Sequence, residues 1–247
     1  MIYVKKVASV VSLALLLGSS ALLAQSTNNA AQQQSVQKDG STLLKSSYRY
    51  LSSLDKYAFN ASVSNIVSTE GTNIESKRTS NVKVNRPDQF RVDSKGDFID
   101  RTVYLSGGIF TMIDNKEKYY ASVNTGGDID KTLDQISKKL GIVLPISTLI
   151  HSNMSKYVSS KSVQYFGTRD LAGVECNYIA FRRGATTVHM WIENSNTPLI
   201  RAAKIVTDAK GTTDMILKWD TSPGFSDSVF AFKAPKGASN VSIRAAK

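Results

Sequence analysis

The sequence predicts a mainly β (α+β) protein: a single strongly curved antiparallel sheet with an N-terminal helix and a helical insertion packed on its concave face. Three observations predict it. Apolar residues alternate over two long stretches, Phe59 to Ala121 and Val163 to Trp219. Turn-forming residues punctuate both stretches about every ten positions, as consecutive strands require. Between them the period changes to the four-three spacing of an amphipathic helix.

The first residues set the compartment. Lys5 and Lys6 precede an apolar run from Val7 to Leu17 that continues, after Gly18-Ser19-Ser20, through Ala21 to Ala24. Positive, then apolar, then small residues is the order of a secretory signal peptide, expected over 1–26 with cleavage after Ala24 or Ser26. No cysteine follows the run, so no lipid anchor is expected and the mature chain should be soluble. From Gln25 to Lys38 the composition turns to Gln, Asn, Ser and Ala, too polar to offset the cost of ordering, so 27–40 is expected as a flexible leader. Residues 41–247 then form one domain. That length of about 200 residues suits a single all-β core. Cys176 is the only cysteine in the chain, so no internal disulfide contributes and burial must supply the stability.

A helix is expected from Ser41 to Lys56, where Leu44, Tyr48, Leu51 and Leu54 recur on one face and Asp39 or Ser41 can cap. Strands follow through Phe59-Ala61-Val63, Val82-Val84, Phe90-Val92, Phe98 to Leu105, Ile109 to Ile113 and Tyr119-Tyr120-Ala121. Their turns fall at Glu70 to Asn73, Arg86-Pro87-Asp88, Asp93 to Asp97, Ser106-Gly107-Gly108 and Asp114-Asn115-Lys116. From 128 to 160 helical signals take over. Ile129, Leu133, Ile136 and Leu140 form an apolar stripe with Asp128 to cap it, Lys138 and Lys139 in the last turn and Gly141 beyond. Pro145 can open a second short helix through Ile146, Leu149 and Ile150, and Asn153 a third through Met154, Tyr157 and Val158. Strands resume at Val163 to Thr168, Val174 to Arg182, Thr186 to Glu193, Leu199 to Thr207 and Thr212 to Trp219, for ten or eleven in all.

Net charge is +11, from 31 basic and 20 acidic residues. That excess favours anionic surfaces such as lipid headgroups, but the basic residues are scattered in nothing longer than pairs, so nucleic acid is not an expected partner. Motifs of catalysis are missing: no nucleophile elbow, no phosphate loop, no dinucleotide glycines. His151 and His189 are too few and too far apart in sequence to predict a metal site. Cys176 lies mid-strand and reads as a small buried hydrophobe. Asp93, Asp97 and Asp100 read as turn formers on a solvated edge. Neither enzyme activity nor a cofactor is expected.

Apolar surface is the conspicuous feature. Val188, Met190 and Ile192 occupy one face of a strand while His189 and Trp191 occupy the other, and Met215, Leu217 and Trp219 alternate on a later one. Strands apolar on both faces need cover twice over or line a cavity. Filling the core beneath the helices is the simpler reading for any single residue.

Four segments carry a resemblance: Lys83-Val84-Asn85-Arg86-Pro87-Asp88-Gln89-Phe90-Arg91-Val92, Tyr104 to Met112, Gly173 to Phe181 with Trp191-Ile192-Glu193, and Asp227 to Ala238. Their order resembles the LolA-like superfamily, which includes the periplasmic outer-membrane lipoprotein carrier, and most of all its branch of uncharacterised predicted periplasmic proteins. The resemblance implies a half-open β-barrel with a helical lid over an apolar cavity that takes acyl chains. It also implies that Arg86 bonds to the lid and helps govern its opening. The expected ligand-contacting residues are Phe59, Val63, Arg86, Phe90, Val92, Met112, Leu133, Ile136, Leu149, Tyr178, Met190, Ile192, Leu217 and Trp219. Expected partners are a lipid or lipoprotein acyl chain and an anionic membrane surface or envelope protein, met by a monomer. A carrier is the leading function, with a sensor or partner-binding envelope module as the alternative.

Overall fold

The computed structural model describes residues 38–142, 144, 146–154, 162–208 and 211–243. The expected signal peptide, nearly all of the expected leader and most of the third helix expected in the insertion lie outside them. Twelve strands form one sheet in the order β12-β6-β5-β4-β3-β2-β1-β11-β10-β9-β8-β7. They are β1 (Lys56–Thr69), β2 (Thr72–Asn85), β3 (Gln89–Gly96), β4 (Ile99–Ser106), β5 (Ile109–Asp114), β6 (Tyr119–Asn124), β7 (Gln164–Leu171), β8 (Val174–Arg183), β9 (Thr186–Glu193), β10 (Ile200–Thr207), β11 (Gly211–Asp220) and β12 (Ser239–Asn240). Every pairing is antiparallel except that of β12 with β6. The sheet does not close: β7 and β12 are its two edges, and the architecture is the half-open barrel that the sequence predicts.

Helix α1 (Gly40–Ser52) begins where Asp39 accepts from the Ser41 and Thr42 backbone amides, satisfying donors that the first turn leaves open. It ends four residues short of the expected Lys56. The chain from Leu54 onward is already committed to the sheet side, because the Leu54 carbonyl accepts from Arg86 Nε and the Asp55 carbonyl from the Arg86 amide. Helix α2 (Ile129–Leu140) has the expected caps: Asp128 accepts from the Lys131 amide, and Gly141 adopts the left-handed φ of 67° that a side chain resists. The short α3 (Ser147–Ile150) follows.

Boundaries within the sheet differ from expectation as well. The turn expected over Asp93 to Asp97 is strand as far as Gly96, because Asp93, Ser94 and Lys95 pair both with Thr102, Arg101 and Asp100 and with Asn81, Ser80 and Thr79. Phe98, expected within the next strand, stands in the turn instead, 81% exposed. The twelfth strand is a two-residue addition from the C-terminal segment. That segment runs over the outer face of the sheet, where Phe230 is fully buried, Phe232 packs on Tyr104 and Tyr120, and Arg91 donates to the Val229 carbonyl.

The core lies on the other, inner face. Direct antiparallel partners point to the same side of a sheet, so registers define rows across it. Tyr57, Val84, Phe90, Leu105 and Phe110 form one fully buried row, and Phe59, Val82, Val92 and Val103 form the next. Leu44 and Leu51 of α1, Ile129, Leu133 and Ile136 of α2, and Leu149 and Ile150 of α3 pack into the same cluster.

Candidate functional site

Ten of the fourteen residues expected to contact a ligand belong to one continuous buried cluster: Phe59, Val63, Phe90, Val92, Leu133, Ile136, Leu149, Met190, Ile192 and Leu217. Met112 and Trp219 pack at its border. Trp219 lies 4.6 Å from the Phe59 ring, centroid to centroid, and its indole Nε1 donates to the Ile200 carbonyl at 2.7 Å. In this structure these side chains are in contact with one another and with α2 and α3.

Tyr178 is a correction. Its neighbours Asn177 and Ile179 point to the core side, so Tyr178 is turned to the outer face. There it stacks on Trp191 at 4.9 Å, lies 5.1 Å from Phe166 and shares a hydrogen bond with His189 Nδ1. A shift of one residue along a strand reverses the face, and β8 is apolar on both.

Arg86 lies where three elements meet. Its Nη2 donates to the Tyr57 hydroxyl and to the His151 carbonyl, both at 3.1 Å, and its Nε to the Leu54 carbonyl at 3.2 Å. Tyr57 in turn donates to the Leu149 carbonyl at 3.0 Å. Burial pushes the Tyr57 hydroxyl up to about 12, against the opposing pull of the Arg86 charge. The hydroxyl therefore stays a neutral donor. At the same junction Asp130 of α2 accepts from the Ser152 amide and hydroxyl and lies 3.2 Å from His151 Nδ1. Burial raises the Asp130 carboxyl, but the Ser152 bonds and the charges of His151 and Arg86 outweigh it and hold it below the ordinary value. Sheet, α2 and the end of α3 are thus tied by polar bonds at one place.

One apolar-walled open space lies at the far end of the inner face, toward the β1–β2 and β3–β4 turns. A cleft of about 320 Å³ is walled by Val92, Val103, Ile99, Leu144 and Ile146, with Ser76, Ser80 and Ser94 between strands and Asn65, Lys77, Arg78, Phe98 and Arg101 around it. Of the expected contact residues only Val92 reaches it. The signal that would have found the rest is the row Ala61, Ser80, Ser94. Short side chains at consecutive inward positions leave space that large ones fill elsewhere.

Cys176 is fully buried and its thiol is pushed up by burial, as a small hydrophobe's would be. Asp97 accepts from the Lys77 amide and Asp100 from Asn115, the turn and edge roles expected, whereas Asp93 accepts from Arg91 and Thr102 on the outer face. Among the described residues no group of three or more His, Cys, Asp or Glu side chains is set to hold a metal ion. Nor is any described helix long and apolar enough to cross a membrane.

Fold and cleft together define a class, the open antiparallel half-barrel with helical cover and an apolar hollow. The chain belongs to the family described as "Predicted periplasmic protein (DUF2092)", whose model matches residues 40–244. That description agrees with the predicted periplasmic proteins that its sequence motifs resemble most. Solved structures similar to it include an uncharacterized conserved protein from Thermus thermophilus, 12% identical over 83% of this chain and 99% of that one, with a TM-score of 0.49. LprF from Mycobacterium bovis is 12% identical over 81% and 97%, TM-score 0.47. The LolA superfamily protein NE2245 from Nitrosomonas europaea is 8% identical over 79% and 98%, TM-score 0.39. A search of curated proteins finds no match.

Proposed function

We propose that this is a non-catalytic periplasmic binding or carrier protein, exported by its signal peptide and released without a lipid anchor. It holds the acyl chain of a lipid or lipoprotein between the sheet and a lid formed by α2 and α3. The observation that carries the reading is the cleft itself, walled by Val92, Val103, Ile99, Leu144 and Ile146 at the edge of a buried apolar cluster. Its volume of about 320 Å³ is at the small end of the roughly 300–1,000 Å³ usual for ligand sites.

A full chain of ~16 carbons gains roughly 0.8 kcal/mol for each methylene buried, and reaching that gain requires α2 and α3 to move off the inner face. Leu133, Ile136 and Leu149 would then form the roof of a longer cavity, with Phe59, Val63, Phe90, Met112, Met190, Ile192, Leu217 and Trp219 as its floor. Arg86, bonded to the His151 carbonyl, would latch the lid. Native mass spectrometry of protein purified from the cell envelope tests this. Lipid should co-purify with the native chain and be lost from Val103→Trp, which fills the cleft. A delipidated protein that takes up no amphiphile refutes the reading.

The alternative is a sensor or partner-binding envelope module. It is favoured by the apolar residues exposed beside the cleft and on the β1–β2 hairpin, Phe98, Ile74 and Val67. Crosslinking in the envelope to one protein partner, with no lipid bound, would decide for it.

A further inference from the structure

Two arginines face the cleft, and among the described residues their side chains have no partner. Arg78 is the direct partner of Val63, a core residue, and Arg101 continues the inward row of Ala61, Ser80 and Ser94. Both therefore point to the inner face, and both line the hollow. Neither guanidinium makes a hydrogen bond or ion pair with any described residue, whereas the neighbouring carboxylates are engaged elsewhere. Glu75 pairs with Lys77, Asp93 with Arg91 and Asp214 with Lys204, Asp97 accepts from the Lys77 amide, Asp100 accepts from Asn115, and Asp114, the cross-strand partner of Arg101, accepts from the Lys116 and Glu117 amides. Burial alone pulls the Arg78 guanidinium below its ordinary value, with no counter-charge to offset it. A half-buried charge without a counter-ion is costly. A bound anion would remove that cost.

Space for such an anion is built in. Ser80 and Ser94 are small and hydrogen-bond each other at 2.8 Å. The same hollow continues onto Val92, Val103, Leu144 and Ile146, surface that a small inorganic ion would leave uncovered.

We propose that the cleft selects amphiphiles with an anionic head, a phosphate or carboxylate held by Arg78 and Arg101, while the apolar chain lies on Val92, Val103, Leu144 and Ile146. This rests on the chain-binding reading and adds the head-group class to it. Guanidinium forks suit both oxyanions bidentately.

The test uses the delipidated protein and calorimetric titration below the micelle concentration. The probes are a 16-carbon lysophosphatidic acid, the 16-carbon fatty acid, the monoacylglycerol of the same chain and inorganic phosphate alone. Hydrogen bonds to a charged group correspond to roughly a tenfold effect or more in affinity each. The two anionic amphiphiles should therefore bind at least about tenfold tighter than the neutral one. Arg78→Gln and Arg101→Gln should each remove most of that preference, while Lys139→Gln, on α2, leaves it intact. Should one arginine variant fail to fold by circular dichroism, the other variant and the head-group comparison on the native chain still decide.

Equal binding of neutral and anionic amphiphiles overturns the head-group proposal and leaves the chain-binding reading standing. Inorganic phosphate bound as tightly as the amphiphiles would show an ion site with no use for the chain, and overturns it too. Binding of none of the amphiphiles overturns the chain-binding reading itself.

Discussion

Replacing Arg86 by Met should loosen the junction that ties α3 to the sheet. The substitution keeps the aliphatic stem and the backbone bond from the Arg86 amide to the Asp55 carbonyl. It removes three side-chain bonds at 3.1–3.2 Å, to the Leu54 and His151 carbonyls and the Tyr57 hydroxyl. It also removes the guanidinium 5.5 Å from the Tyr57 ring centroid. Bonds to a charged donor contribute about 1.5–3 kcal/mol each. Arg86 is only partly buried, so water can replace some of the lost donors. The net loss should therefore be about 2–4 kcal/mol, below the sum of the separate bonds.

For a domain of this size each kcal/mol corresponds to roughly 2–4 °C in Tm, so thermal unfolding by circular dichroism should fall by about 5–15 °C. Hydrogen exchange should speed up first at the His151 amide, which donates to the Ser147 carbonyl at the end of α3. Arg86→Lys should fall between the two, because an ammonium cannot present the planar fork. An Arg86→Met protein that melts within about 2 °C of the parent, with exchange in α3 unchanged, would show that the junction does not hold the helices.

Three further outcomes are expected. Asp130 has its folded pKa lowered, so its contribution is present above the ordinary carboxylate value and is lost as pH falls through the folded one. Stability should therefore drop below about pH 4, and Asp130→Asn should flatten that acid limb in a pH series of thermal melts. Cys176, fully buried with its thiol pushed up, should ignore a thiol-reactive chromophore in the native protein and react once the chain is denatured. Gly96→Ala sets a Cβ 2.2 Å from the Lys77 carbonyl and 2.6 Å from Arg78 Cβ, so it should cost about 1–3 kcal/mol by overpacking, read from urea unfolding.

What the sequence revealed and what it hid have one physical cause. Local rules sufficed for α2, because Asp128 and Gly141 act within a turn of the residues they cap. They sufficed for most strands too, because alternation and turn residues are neighbours in the chain. The Arg86 contact to the end of α3 came from the family resemblance, since a bond between residues 65 positions apart leaves no local trace. Tyr178 was misassigned because β8 carries apolar groups on both faces, and only pairing with β9 fixes which face meets the core. The cleft residues Val103, Leu144, Arg78 and Arg101 stayed hidden for a different reason. Large apolar residues advertise a core, whereas a hollow is made where they stop, and where the helices stop covering them is decided in three dimensions.

That stopping point can nevertheless be reasoned from the rows of the inner face. Across β1, β2 and β3 the first row is Tyr57, Val84, Phe90 and the second is Phe59, Val82, Val92. The third is Ala61, Ser80, Ser94 and the fourth is Val63, Arg78, Gly96. Side-chain bulk and apolarity both drop from the first two rows to the third, and the fourth brings in a charge. Helices α2 and α3 gain by covering the first two rows, where each large side chain buried contributes about 1.5–3 kcal/mol, and gain little by extending over serines and a glycine. Covering Arg78 would add a desolvation cost as well. The lid therefore ends at Leu144 and Ile146, against Val92 and Val103. The residues that make the end of the sheet a poor place for a helix to pack also make it a suitable place for a polar-headed guest.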